Sequence, residues 1–396
     1  MRRRGLIVAV VALGMSGGEA VTAAQTPPPL ELRGPRQIAT GVDFRVRGGG
    51  GVAGERIGIE IRLRAGWRPL ATATAAGDGR FTARVAPRRA RRRYTLRAVG
   101  ADGRLSAPLA VRSRHVTMAA VGDINLGNGP RLVMSRRGLR FPWTGVARSL
   151  RRTDIAFGNL ECAVSTRGSP VPKQFNFRGR PAALNVMARY AGFDVLNLAN
   201  NHVGDFGTAA LLDTVRYVRR FGMVPVGAGP SLASASRPRV IERLGLRVAF
   251  VGFSNILPAS FFAGRGRAGT QAATAEAIRR GVRRARRRAD VVIATFHWGV
   301  ERARREDARQ RAFAAAALGA GATAVIGAHP HVLQPIRRIG RRLVAYSLGN
   351  FVFAAASPAT TRTGILKLKL SARGIEGSRL ARAVIEGTRP RLLTPR

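Results

Sequence analysis

Four of the five histidines in this chain stand directly after short apolar runs, a placement that suggests a site. His329 and His331 flank Pro330 in the sequence Gly-Ala-His-Pro-His, which follows the apolar run 323–326. Proline cannot donate to a strand ladder, so we expect both imidazoles to project from a loop at the end of a strand. Neutral imidazole is the commonest metal ligand among side chains. The alternative interpretation is a pair of surface histidines.

Other predicted strands end in polar residues that favour the metal interpretation. Ligands of open α/β sheets gather beyond the carboxyl ends of the strands, so side chains at several strand ends can share one site. Mixed oxygen and imidazole ligands suit a hydrolytic site with Zn, Mn or Fe. The candidate ligands are Asp123, Glu161, Asn201, His202, His297, His329 and His331. Seven candidates are enough for two divalent ions, which we predict to be Mn, Zn or Fe.

The elements that position these residues alternate between apolar strands and helical stretches from Val116 onward. Predicted strands are 116–121, 155–158, 195–199, 247–252, 291–296, 322–326, 343–347 and 363–370. Predicted helices are 181–190, 208–221, 270–288 and 306–318. Nearly continuous apolar strands separated by helices indicate an α/β domain with buried sheets, which we assign to residues 114–396.

A different pattern precedes this domain, in residues 27–113. Short alternating segments at 43–47, 57–63, 81–85, 94–99 and 109–111 are separated by turn residues, which predicts a small antiparallel β-sandwich. With Trp67 and Gly79-Arg80-Phe81, it resembles the immunoglobulin-like accessory domains of exported bacterial proteins. We expect this domain to act as a spacer or to bind a ligand.

The first 26 residues are predicted to be an export signal. Arg2 to Arg4 form a positive segment, an apolar core covers 5–15, and small residues at 21–24 resemble a cleavage site before Gln25. An uncleaved membrane anchor is the alternative, although the core is shorter than the roughly 20 residues that a bilayer requires. We therefore expect an exported protein, secreted or associated with the cell envelope.

The charge of the chain is extreme, with a formal net charge of +47 that comes almost entirely from arginine. Such an excess favours polyanions, although a compositional bias of the whole genome explains it equally well. The partners we expect from this charge are an anionic polymer or a phosphate-containing substrate and an anionic membrane surface, without specific nucleic acid. Cys162 is the only cysteine, so no internal disulfide can form.

Six motifs in order along the chain resemble the signatures of the bacterial CapA family, named for poly-gamma-glutamate capsule synthesis. They begin at Val121, Gly158, Asn200, His297, Gly327 and Tyr346, and the resemblance covers roughly residues 116–386. This family is similar to the calcineurin-like metallophosphoesterases. The resemblance implies a four-layer αββα sandwich with a di-metal centre, preceded here by the small all-β domain.

The resemblance also implies a capsule-synthesis membrane complex as a partner, and it implies roles for individual residues. Metal ligands would be Asp123, Glu161, Asn201, His297, His329 and His331, and catalytic residues would be His202 and Asp205. Asn125, Asn159, Asn200 and Asn350 would support the ligands. Arg178 would clamp an anionic substrate, with a solvated loop arginine as the alternative. Asn125 stands where metallophosphoesterases carry a histidine, and Glu161 stands where they commonly carry aspartate.

Three functions remain open at this point. The first is action on an acidic capsule or cell-envelope polymer such as poly-gamma-glutamate, in its synthesis, export or processing, through a metal-dependent hydrolase-type site. The second is a secreted phosphoesterase unrelated to capsule. The third is a non-catalytic polyanion-binding protein, which the histidines and acids at the strand ends argue against.

Overall fold

The computed structural model describes residues 27–87, 92–256 and 258–394. The predicted export signal, residues 1–26, lies outside the described residues. Within the described ranges, no helix is long and apolar enough to cross a lipid bilayer.

Eight strands precede the α/β part and form two sheets. They are β1 (Glu31–Arg33), β2 (Gln37–Ala39), β3 (Phe44–Gly49), β4 (Arg56–Leu63), β5 (Gly66–Thr74), β6 (Phe81–Val85), β7 (Arg93–Val99) and β8 (Leu109–Arg114). One sheet has the order β1-β3-β6 and the other β2-β8-β7-β4-β5. Side chains alternate between buried and exposed along β6, as expected where one face of a sheet packs on another sheet. Val46, Ile57 and Leu96 lie in the core between the two sheets. The immunoglobulin-like assignment stays a prediction.

The α/β part contains the remaining strands and the helices of the described residues. Its strands are β9 (Val116–Ile124), β10 (Ile155–Leu160), β11 (Ala163–Val164), β12 (Arg178–Gly179), β13 (Val195–Asn197), β14 (Val224–Val226), β15 (Ala228–Gly229), β16 (Arg239–Arg243), β17 (Leu246–Ser254), β18 (Gly269–Thr270), β19 (Val291–His297), β20 (Ala324–Ala328), β21 (Ile336–Ile339), β22 (Arg342–Ala345), β23 (Asn350–Val352), β24 (Arg362–Ser371), β25 (Gly374–Glu386) and β26 (Arg389–Leu392). Its helices are α1 (Asn128–Arg137), α2 (Ala147–Arg151), α3 (Pro181–Val186), α4 (Gly207–Arg220), α5 (Leu232–Ala235), α6 (Ala275–Arg286), α7 (Ala308–Gly319) and α8 (Pro358–Thr361). A π-helical turn, Met187–Ala191, continues α3.

Two large mixed sheets organise this part. The first has the order β14-β13-β10-β9-β24-β25-β26, with β23 also paired to β9, and its strands β14, β13, β10 and β9 run parallel. The second has the order β16-β17-β19-β20-β22-β21, with a parallel centre from β17 to β22. The predicted mixed α/β architecture is therefore present.

The two sheets face each other, and helices cover their outer faces. Phe157 of the first sheet stacks on Phe250 of the second with ring centroids 5.8 Å apart, inside an apolar core shared by both sheets. Leu150 of α2 and Leu211 of α4 pack on the outer face of the first sheet. Ile278 of α6 packs on the outer face of the second. The order of layers is helix, sheet, sheet, helix.

Helix α6 shows how the sequence produces this outer layer. Ile278, Val282 and Ala285 recur at helical spacing and are buried, while arginines occupy the opposite face. The helix begins after Thr274, whose side-chain oxygen accepts a 3.1 Å hydrogen bond from the amide of Ala277. An amphipathic sequence with a capped start thus places the helix on the second sheet.

Hydrogen bonds join the β-sandwich to the α/β part. The Ala39 amide donates to Leu244 O at 2.7 Å, and the Ala372 amide donates to Thr40 O at 3.2 Å. At the end of β8, the Arg114 guanidinium makes two 2.7 Å hydrogen bonds to the carboxylate of Asp154. The two parts therefore share a polar interface.

Candidate metal centre

The candidate ligands converge because both sheets end at the same place. Asp123 lies near the end of β9, Glu161 follows β10, and Asn201 follows β13, all in the first sheet. His297 is the last residue of β19 in the second sheet, and His329 and His331 follow its neighbour β20. The site thus lies at the carboxyl ends of parallel strands from two sheets.

Two groups of side chains have the arrangement of metal ligands. One consists of Glu161, His329 and His331, and the other of Asp123, Glu161 and His297. Within each group the ligand atoms all lie within 4.8 Å of one another. Glu161 is the residue that the two groups share.

The unsatisfied atoms of Glu161 fit a metal. Both carboxylate oxygens are buried and have no hydrogen-bond partner among the described residues, and the same holds for Nδ1 of His329. Burial and the nearby carboxylate of Asp123 raise the pKa of Glu161 well above its ordinary range. A buried, unpaired carboxyl is costly unless it is neutralised or coordinates a cation. The donors present therefore fit divalent metal ions.

His297 and Asn201 meet on one side of this centre. Nε2 of His297 lies 2.8 Å from Oδ1 of Asn201 and 3.3 Å from Oε1 of Glu161. Burial and the imidazoles of His329 and His331 lower the pKa of His297 well below its usual range. The imidazole is therefore neutral, which is the form that binds metals.

The His-Pro-His turn brings two imidazoles to the other side. Non-glycine residues rarely adopt positive φ, yet His329 has φ +98° and His331 has φ +60°. Burial and His331 lower the pKa of His329 to about 3. Burial also tends to lower the pKa of His331, but the adjacent Asp123 carboxylate reverses the direction and raises it.

Asparagines hold the ligands in place. Asn159 and Asn350 lie opposite Asp123 on the two neighbouring strands. Nδ2 of Asn159 donates to Oδ1 of Asp123 at 2.8 Å, and Oδ1 of Asn350 lies 2.9 Å from Nδ1 of His331. Asn200 accepts hydrogen bonds from the amides of His202 and Val203, each at 3.0 Å, and so fixes the loop after β13.

Asn125 occupies a different position from the other predicted supporting residues. Its side-chain oxygen accepts a 2.7 Å hydrogen bond from the amide of Gly127, which shapes the turn before α1. Within the described ranges it makes no side-chain hydrogen bond to a candidate metal ligand. Its contribution is the shape of this turn.

His202 forms a hydrogen-bonded pair with Asp205 beside the candidate ligands. Nδ1 of His202 lies 2.7 Å from Oδ2 of Asp205, and the ring stacks on Phe177 at 4.2 Å between centroids. Burial lowers the pKa of His202, although the Asp205 carboxylate opposes this change. With Nδ1 engaged by the carboxylate, Nε2 is the nitrogen left for proton transfer.

Lys173 is a site residue that the sequence interpretation missed. Its ammonium donates to Oδ1 of Asp205 and to the carbonyl of Asn201, both at 2.7 Å. It lies 3.2 Å from Nδ1 of His202. A signal was present, because Lys173 is one of only three lysines in a chain whose other basic residues are arginine.

Two further sequence interpretations concern Arg178 and Cys162. The guanidinium of Arg178 lies 4.1 Å over the ring of Phe206 and donates to Gly168 O at 3.1 Å. Its proposed contact with substrate stays a prediction. The thiol of Cys162 is buried, and burial raises its pKa to about 12, which disfavours a nucleophilic role.

Comparisons with known proteins identify similar chains. The family described as "Bacterial capsule synthesis protein PGA_cap" matches residues 117–355. The "Capsule biosynthesis protein CapA" of Bacillus anthracis is 30% identical over 277 residues, which cover 68% of this chain and 67% of that protein. The "PGA biosynthesis protein CapA" of Bacillus subtilis (strain 168) is 31% identical over 257 residues, covering 64% of this chain and 67% of that protein.

More distant matches include a protein of Mycobacterium tuberculosis and one solved structure. The "Probable polyglutamine synthesis accessory protein" of strain H37Rv is 29% identical over 227 residues, covering 54% of this chain and 60% of that protein. The NAD nucleotidase of Haemophilus influenzae aligns with a TM-score of 0.42 at 12% identity, over 71% of this chain and 60% of that chain.

Proposed function

This chain belongs to the bacterial capsule synthesis protein family that includes CapA, and from that premise we propose that it acts on an acidic capsule or cell-envelope polymer such as poly-gamma-glutamate. Its role would lie in synthesis, export or processing of the polymer. The relatives that support this substrate class are described as capsule, PGA and probable polyglutamine synthesis proteins. Export is part of the same proposal.

We further propose that the chain works as a metal-dependent hydrolase of the metallophosphoesterase-like type. The observation that carries this proposal is the buried carboxylate of Glu161, which belongs to both groups of candidate ligands and accepts no hydrogen bond from the part of the chain that the structure describes. Asp123, Glu161, His297 and Asn201 would hold one ion, and Glu161, His329 and His331 would hold the other. We expect two ions of Mn, Zn or Fe, because mixed oxygen and imidazole donors suit these metals.

The chemistry that such ions supply when bound is Lewis-acid polarisation of a substrate oxygen and acidification of water. The residues of the chain complete the site. Asp205 orients His202 through Nδ1, so that Nε2 can exchange a proton with the water or the leaving group. Lys173 fixes Asp205 and, through the carbonyl of Asn201, the loop that carries both Asn201 and His202.

Cleavage of poly-gamma-glutamate by purified protein tests the proposal. The protein is stripped with chelator, reloaded with Mn²⁺ or Zn²⁺ and incubated with the polymer, and chain length is followed by gel electrophoresis. We expect metal-dependent shortening that falls at least ~100-fold in His297→Ala, because loss of a ligand removes metal-centred charge stabilisation.

The matched control is His115→Ala, which removes the only histidine outside the site and should retain activity. Shortening that persists in metal-free protein or in His297→Ala would contradict a metal-dependent hydrolase. An intact polymer together with metal-dependent cleavage of bis(p-nitrophenyl) phosphate would favour the phosphoesterase alternative.

A further inference from the structure

A cleft of about 590 Å³ beside the His-Pro-His turn is lined mainly by arginine. Its lining residues are Arg304, Arg305, Glu306, Arg311, Pro335 and Arg337. We propose that this cleft, the arginine cleft, binds successive carboxylates of an acidic polymer next to the segment that is processed. The inference rests on the proposed function and adds a second, metal-independent contact to it.

The arginine cleft is tied to the metal centre through the backbone. The amide of Arg302 donates to Pro330 O at 2.8 Å, inside the His-Pro-His turn. Nε2 of Gln334 donates to Ala303 O at 2.9 Å and to Arg305 O at 3.1 Å. Gln334 stands three residues after His331, so the arginines lie on a loop bonded to the segment that carries two candidate ligands.

Buried polar side chains keep this loop in one conformation. Gln334 is 5% exposed, and its Oε1 accepts a 2.9 Å hydrogen bond from Gln310, which is 1% exposed. Gln310 and Asp307 bond to each other reciprocally at the start of α7. A binding surface held in this way loses little conformational entropy when a ligand binds.

The charges in the arginine cleft are not balanced within the protein. Glu306 is its only acidic residue, and its carboxylate already accepts a 2.8 Å hydrogen bond from Arg337. The carbonyl of Glu306 accepts from Arg311 at 3.1 Å, which anchors a second guanidinium. The side chains of Arg304 and Arg305 are exposed and form no ion pair within the described residues. An acidic ligand would supply the missing partners.

The chemistry of the lining favours a polycarboxylate over other polyanions. Guanidinium groups bind carboxylates through two parallel hydrogen bonds, so several arginines can each take one carboxylate of a repeating chain. Single-stranded nucleic acid requires aromatic side chains for base stacking, and none lines the cleft. A concave site also fits a flexible chain better than the flat surface of a membrane.

Equilibrium binding of fluorescent poly-gamma-glutamate to metal-loaded protein at physiological salt tests the inference. In Arg304→Ala, Arg305→Ala we expect binding at least ~10-fold weaker, because two carboxylate contacts are lost. The control variant, Arg287→Ala, Arg288→Ala, removes the same charge from two exposed arginines just before β19. These lie at the opposite end of that strand from His297, about 20 Å away, and their loss should change Kd by less than ~3-fold.

Each result separates the inference from the proposed function. Equal weakening in both double variants would overturn the inference, because total charge alone would then explain binding. No measurable binding by the wild-type protein would overturn the proposed function together with the inference. Tighter binding of single-stranded DNA or anionic vesicles, lost in Arg304→Ala, Arg305→Ala, would overturn the assignment to a polycarboxylate. Unchanged metal content and Tm in both variants confirm that the fold is intact.

Discussion

Glu161 is completely buried, and no residue in the described ranges donates a hydrogen bond to its carboxylate. A carboxyl in that position lowers stability unless a cation or a proton neutralises it. Asp123, by contrast, is bonded to Asn159 and to the amide of His329. Of these two candidate ligands, Glu161 is therefore the one whose environment is incomplete without a cation or a proton.

Replacing Glu161 with glutamine should have opposite effects on the metal-free and the metal-loaded protein. In the metal-free state we expect a Tm at or above that of the wild type, because the amide cannot ionise. Added Mn²⁺ or Zn²⁺ at ~100 times its Kd should stabilise the wild type by about 2.7 kcal/mol and stabilise the variant far less. Differential scanning fluorimetry with and without metal measures both effects. A metal-induced shift equal to that of the wild type would exclude Glu161 as a ligand.

The sequence allowed most of the site to be predicted at the scale of residues, because the ligands directly follow apolar strands. Lys173 could not be placed in this way. It lies in an irregular loop, and its contacts with Asn201 and Asp205 depend on how two distant loops pack together. The contacts of Asn125 could not be predicted for the same reason. Its side chain accepts a hydrogen bond from the amide of Gly127 and not from a candidate ligand.

At the scale of elements, the end of β20 requires a residue without a side chain at Gly327. A Cβ atom built there would lie 2.0 Å from Tyr346 O and 2.3 Å from Nε1 of Trp298. Those two atoms are themselves joined by a 2.8 Å hydrogen bond that links the ends of β19 and β22, the two strands on either side of β20. The close approach sets the direction in which the His-Pro-His turn leaves the sheet.

Gly327→Ala should therefore destabilise the protein by about 1–3 kcal/mol, because a buried backbone contact must open. Metal affinity should fall as well, since the turn carries His329 and His331. Urea unfolding and a metal titration provide the measurements. Gly319→Ala is the control, because nothing lies within 4 Å of that position at the end of α7, and alanine there should be neutral or stabilising by up to about 1 kcal/mol. Equal stability of the two variants would contradict the close packing at Gly327.

Strands with continuous apolar runs were predictable, whereas elements formed mainly through tertiary contacts were not. The pattern predicts 291–296, and β19 spans Val291–His297. Strand β25 (Gly374–Glu386) was missed because its glycines and arginines obscure the alternation of apolar and polar residues. The strand is held in place by pairing with β24 along its length. Helix α1 (Asn128–Arg137) was missed because its first turn contains glycine and proline and it lacks a side-chain cap.

At the scale of the whole molecule, Asp154 connects the sandwich to the α/β part. It accepts two hydrogen bonds from Arg114 and further 2.7 Å bonds from the amide and hydroxyl of Thr117. Burial by itself would raise the pKa of Asp154, but these donors outweigh it and lower the pKa from 3.8 to about 2. The ionised form is thus favoured in the folded protein.

This shift predicts a defined pH dependence of stability. The pKa of Asp154 is lower in the folded protein than in the unfolded chain. Its contribution to the free energy of unfolding is therefore complete above about pH 4 and is lost as the pH falls toward about 2. Asp154→Asn should lower the free energy of unfolding at pH 7 by on the order of 2 kcal/mol and remove this part of the acid dependence. Urea unfolding at pH 7, 4 and 2.5 measures the free energy of unfolding of both proteins. Asp78→Asn, at an exposed turn, should match the wild type within about 0.5 kcal/mol, and equal loss in both variants would contradict the prediction.

The origin of the ligands in two facing sheets has a consequence for the order of folding. Asp123 and Glu161 belong to the first sheet, and His297, His329 and His331 to the second, so neither sheet alone carries a complete set. Contacts between residues so far apart in sequence form late, because closing the long intervening loop costs entropy. High-affinity uptake of the proposed ions would therefore have to wait until the sheets have docked, and its rate would report the final step of assembly.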